Sequence, residues 1–180
     1  SGYGLAVGIQ ATAGSIKYPH GNSYILNTGD IDASSQYFAY GIQTRASDGT
    51  ATIVNTGDVN VATAAVFDYY YQPGKAQGIS ALTFTGGDLA LENHGDVTVH
   101  GYALAYGLYA KSGNDGNVAI TNAGDVSVDS QMHVARGAFA KTYFGDVAVT
   151  SAAGGTIVAS GGVAAVGVQA ITASGSIVVN

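Results

Sequence analysis

The chain contains no cysteine and no tryptophan, and its 180 residues include only two prolines and six Lys plus Arg. Without cysteine there is neither a disulfide framework nor a thiolate zinc site. Six cations against twelve acids give a formal net charge of −6. That balance argues against a nucleic-acid partner, which needs clustered cations, and against an anionic membrane surface. No apolar run approaches the roughly 18–20 residues of a membrane helix, so direct membrane insertion of this segment is not expected. Charged residues make up only 10% of the chain, too few for charged amphipathic helices. Instead there are 27 glycines and abundant Ala, Val and Ile, a profile that favours turns and β-branched strands.

These residues recur in columns. Ala-x-Gly appears at Ala6/Gly8, Ala39/Gly41, Ala76/Gly78, Ala105/Gly107, Ala135/Gly137 and Ala165/Gly167, each followed by an apolar residue and, two positions on, a small one. A second glycine column follows at Gly21, Gly49, Gly87, Gly116, Gly145 and Gly175, leading into period-two segments such as Leu89, Leu91, Asn93 and Val118, Ile120, Asn122. Alternation of this kind marks a strand. The third column is Gly29-Asp30, Gly57-Asp58, Gly95-Asp96 and Gly124-Asp125, with Gly155-Thr156 as its variant. Three near-constant steps per unit imply three strands and three turns per coil, with glycines at the corners supplying unusual backbone angles. The expectation is an all-β, right-handed parallel β-helix of about five to six coils. Its strands stack in register at about 4.8 Å per coil, and its handedness follows the general crossover preference. Residues 1–180 read as a single β-helix segment, a fragment of a longer array.

The motif Asn-x-Gly-Asp-[Val/Ile]-x-[Val/Ala], at residues 27–33, 55–61, 93–99 and 122–128, resembles the repeats of bacterial autotransporter passenger domains and haemagglutinin-like surface proteins. The resemblance implies a chain secreted across the outer membrane to the cell surface or beyond. There it would act as a stalk, an adhesin or a self-association surface, with a host or bacterial surface glycan or protein as partner. It implies no particular activity, and no cofactor is expected.

Asn27, Asn55, Asn93 and Asn122 share the parity of the buried aliphatics and should form an inward structural ladder of stacked amides. Asp30, Asp58, Asp96 and Asp125 form a second column. Calcium is conceivable there, but Asp after Gly commonly bonds its own turn backbone, and the Gly-Gly-x-Gly-x-Asp calcium repeat is absent. Polysaccharide lyases and glycosidases also use β-helices, but they need carboxylates converging on one face. Here the acids fall at corners and the bases Lys17, Arg45, Lys75, Lys111, Arg136 and Lys141 look scattered. His20, His94, His100 and His133 share no ligand spacing, and Thr occupies no single outward column of the kind that binds ice. No catalytic and no metal site is expected. Two coils carry insertions, one around Tyr18 and one spanning Phe67 to Gly74. Phe67, Tyr69, Tyr70 and Tyr71, with Tyr18, are the candidate binding residues, because three successive tyrosines cannot all face a core. The alternative is that the loop folds back and caps a neighbouring face with these rings.

Overall fold

The structure, a computed structural model, describes residues 4–14, 20–64, 74–152 and 154–180. Tyr18, Phe67, Tyr69, Tyr70 and Tyr71 lie outside the described residues, as does Lys17. The described residues form a parallel β-solenoid with three strands per coil and no helix. The first coil is β1 (Leu5–Ala13), β2 (Ser23–Asn27) and β3 (Ile31–Ser35), and the second is β4 (Phe38–Ala46), β5 (Ala51–Asn55) and β6 (Val59–Thr63). The third is β7 (Lys75–Thr83), β8 (Leu89–Asn93) and β9 (Val97–Gly101), and the fourth is β10 (Leu104–Lys111), β11 (Val118–Asn122) and β12 (Val126–Ser130). The fifth comprises β13 (Val134–Lys141), β14 (Val147–Ser151) and β15 (Ile157–Gly161); β16 (Ala164–Ile171) and β17 (Ile177–Val179) begin a sixth.

Equivalent strands pair in parallel, giving a long-stranded sheet (β1-β4-β7-β10-β13-β16) and two short-stranded ones (β2-β5-β8-β11-β14-β17 and β3-β6-β9-β12-β15). The register matches the sequence columns residue for residue: Ile42 pairs with Ile79, Ile53 with Leu91, Asn55 with Asn93 and Val59 with Val97. Ile42, Ile53, Val59, Ile79, Leu91 and Val97 join one continuous core. Each coil is buried only where neighbours cover it. Val147 and Val149 are 1% exposed, whereas their register partners Ile177 and Val179 in the terminal strand are 48% and 51% exposed.

The first glycine column departs from the expected corner position. Gly8, Gly41, Gly78, Gly107, Gly137 and Gly167 all sit within the long strands, and glycine and the following apolar residue are buried together in β4, β7, β10 and β13. Two successive inward residues break the period-two alternation. The missing side chain lets the third sheet pack directly against the first. A Cβ on Gly78 would meet Val97 Cγ1 at 2.5 Å and the Gly107 carbonyl oxygen at 2.7 Å. Nor do the corner glycines generally supply unusual angles. Among the three columns only Gly87 (φ 96°) and Gly175 (φ 151°) have positive φ. Their main contribution is close coil-on-coil stacking: a Cβ on Gly95 would meet the Gly57 carbonyl of the coil before, its carbon only 2.6 Å away.

Candidate functional site

At the corner between the second and third strands of each coil, the asparagine amides run in series through the interior. Asn27 Nδ2 donates to Asn55 Oδ1 (2.7 Å), Asn55 to Asn93 (2.8 Å) and Asn93 to Asn122 (2.8 Å). Each also donates to the carbonyl two residues on, Gly29, Gly57 and Gly95 at 2.6 Å and Gly124 at 2.5 Å. Asn55, Asn93 and Asn122 are fully buried. One side chain thus closes its own turn and ties two coils together.

The aspartates behave differently from the sequence expectation. They do not bond their own turn; they reach the next coil. Asp30 Oδ1 accepts from Asp58 N, Asp58 from Asp96 N, Asp96 from Asp125 N and Asp125 from Thr156 N, all at 2.9 Å. Hydrogen bonds from the Thr156 hydroxyl and then its backbone hold the Asp125 carboxyl below its ordinary range. A parallel column after the second glycine escaped the sequence reading. Asn22, Asp88, Asn117 and Asp146 accept from Thr50, Asn117, Asp146 and Ser176 N at 2.7–3.0 Å. Its signal was present in the run Asn, Thr, Asp, Asn, Asp, Ser that follows the second glycine. Both columns cap backbone N–H groups of the next coil through one oxygen of a short polar side chain. Among the described residues there is no cluster of three groups able to hold a metal ion. His20 and His94 instead pair with Asp48 (2.9 Å) and Glu92 (2.7 Å).

The outer face of the long-stranded sheet is chemically unlike the other two. The bases that look scattered in sequence are brought together here: Arg45, Lys75, Lys111, Arg136 and Lys141 all lie in its strands. None of its strands contains an acid. Register aligns Arg45, Leu82, Lys111 and Lys141 in one column and Tyr40, Gln77, Tyr106 and Arg136 in another. A third runs Gln43, Ser80, Tyr109 and Phe139. Tyr109 stacks on Phe139 with ring centres 5.1 Å apart, and Tyr106 meets Tyr109 edge-on at 5.2 Å.

Cations cover these rings. Lys75 Nζ lies 5.5 Å from both the Tyr106 and Tyr109 ring centres, and the Arg136 guanidinium lies 5.3 Å from Tyr106 and 5.6 Å from Phe139. Arg136 also donates to Gln169 Oε1 (2.6 Å) and to the Tyr106 hydroxyl (2.8 Å). Lys141 Nζ sits 5.0 Å from the Tyr143 ring centre. Burial, reinforced by Arg45 and Lys111, holds Lys75 below the usual lysine range. Burial also pushes the Tyr109 phenol up to about 12, with Tyr106 adding to the shift and Arg136 opposing it. Beside this cluster a groove of about 310 Å³ is lined by Phe38, Tyr40, Gln43 and Arg45 among others. By contrast, the outward positions of the other sheets are mostly small, polar or acidic, such as Thr52, Ala90, Ala119 and Ala148, or Asp32, Asn60, Thr98 and Ser127.

Fold and side-chain columns together define a three-sided parallel β-solenoid with one basic, aromatic flank. Comparison with protein-family models, with curated proteins and with solved structures gives no match to the chain.

Proposed function

We propose that this segment is a structural and adhesive scaffold of a bacterial surface or secreted protein, a stiff stalk with recognition groups along its side. The observation that carries this reading is the in-register stack. Backbone ladders on three sheets, the asparagine amides and two outward capping columns each bond one coil to the next. Displacing one coil therefore breaks bonds on every side, and such a one-dimensional array holds its surface groups at fixed spacing. The resemblance of the Asn-x-Gly-Asp repeat to passenger domains supports the surface setting. A carbohydrate-binding role for the same scaffold is favoured by the basic, aromatic flank.

A polysaccharide-degrading role has less support, because it requires carboxylates converging with an acid–base partner. The aspartate columns are instead engaged by backbone N–H groups at the corners. Incubation with a panel of acidic polysaccharides is expected to leave them intact. Release of reducing ends or unsaturated products, abolished by a single Asp substitution, would replace the scaffold reading with an enzymatic one. For adhesion, the chain can be compared with a variant in which residues 67–74 become a short Gly-Ser turn. Lost cell or glycan binding assigns recognition to Phe67 and Tyr69 to Tyr71; unchanged binding assigns it to another part of the surface.

A further inference from the structure

The geometry points to a binding site for an acidic glycan on the outer face of the long-stranded sheet, the sugar chain lying along the stack across β4, β7, β10 and β13. Its carboxylate or sulfate groups meet Lys75, Arg136 and the row formed by Arg45, Lys111 and Lys141. This deepens the scaffold reading, on which it rests only for a rigid flank.

The first argument is charge. A chain of net charge −6 gathers five of its six Lys and Arg on one face whose strands contain no acid. Among the described residues none of the five is ion-paired. Like charges gathered in strands that carry no acid repel, and an anion relieves that repulsion. The second argument is organisation. Lys75, Arg136 and Lys141 are held over aromatic rings, and Arg136 is fixed by Gln169 and Tyr106, so less side-chain freedom is lost when a ligand binds.

The ligand class follows from the rings and the overall charge. Tyr106, Tyr109 and Phe139 pack on one another and are covered by cations, which leaves little bare ring for stacking nucleobases. The acidic remainder of the chain opposes a densely charged phosphate backbone. A glycan carries sparser charge, and its hydroxyls suit amide and phenol groups. The coil rise of about 4.8 Å is also close to the length of one sugar unit, so successive sugars meet successive coils.

The test is calorimetric titration of the whole chain at low salt with polygalacturonate, heparin, neutral dextran and a single-stranded oligonucleotide. The first two separate carboxylate from sulfate recognition. The expected result is binding to one or both acidic glycans and none to dextran, with affinity falling as salt rises. The double variant Lys75→Gln/Arg136→Gln should bind at least tenfold more weakly, whereas Glu92→Gln on the second sheet should not weaken binding. Lys111→Gln/Lys141→Gln provides a second, independent loss should the first variant fail to fold. No binding to either acidic glycan, binding retained by folded variants, or tighter binding to the oligonucleotide would overturn the assignment. Because protease resistance of the same samples reports the stack alone, a missing site remains distinguishable from a failed scaffold.

Discussion

Gly95→Ala is expected to destabilise the protein by about 3 kcal/mol or more, while Gly29→Ala, in the same column, changes stability by no more than about 0.5 kcal/mol. The residues have the same sequence context, Asn-x-Gly-Asp, and differ in what lies beside them. A Cβ at Gly95 would collide with the Gly57 carbonyl, backbone that can yield only by separating two coils. A Cβ at Gly29 would have nothing within 4 Å. Separating the coils at one corner stretches the Asn55–Asn93 amide bond and the backbone bond from His94 N to Asn55 O (2.8 Å), so the cost extends beyond the contact itself. Urea unfolding measures both, the midpoint falling at similar slope. Equal losses would mean that the contact between coils does not set the cost of a side chain in this column.

Asn93→Ala is expected to cost about 2–3 kcal/mol, and Asp96→Ala clearly less. Asn93 is fully buried and takes part in three hydrogen bonds: it donates to Gly95 O and Asn122 Oδ1 and accepts from Asn55. Its removal strands a donor on one side and an acceptor on the other, inside a core that water does not reach. Asp96 makes its bond to Asp125 N at the surface, where water substitutes for the lost oxygen. Urea unfolding of the two variants gives the comparison; a reversed order would mean that the buried amides contribute less than the outer caps.

The coil architecture was legible because a solenoid repeats its constraints. Each corner and each inward position demands the same residue type once per coil, so Asn27, Asn55, Asn93 and Asn122 announce themselves by spacing and parity. The bend in the long strands was harder to read. Gly41 and Ile42 are both buried, and this local loss of alternation looks in sequence like an ordinary strand entering a turn. The basic flank was hidden for a related reason. Lys111 and Lys141 are neighbours across a ladder but one whole coil apart along the chain. Because outward positions tolerate varied residues, no single-type column draws attention to them. Reading the residue before each first glycine, Tyr40, Gln77, Tyr106 and Arg136, against the second residue after it, Gln43, Ser80, Tyr109 and Phe139, would have exposed the cluster. The candidate tyrosines of the second insertion fall outside the described residues, so recognition by Tyr69, Tyr70 and Tyr71 rests on their sequence alone.

The rigid in-register stack on which the scaffold reading depends can be tested directly, because the chain has no native cysteine to compete for a label. Asp32→Cys and Val158→Cys place two spin labels on outward positions of the third sheet, joined through Asn60, Thr98 and Ser127 by four successive register steps. Pulsed dipolar spectroscopy is expected to give a single narrow distribution consistent with a backbone separation of about 19 Å, four coil rises of about 4.8 Å. A broad distribution, or a peak well away from four coil rises, would contradict it.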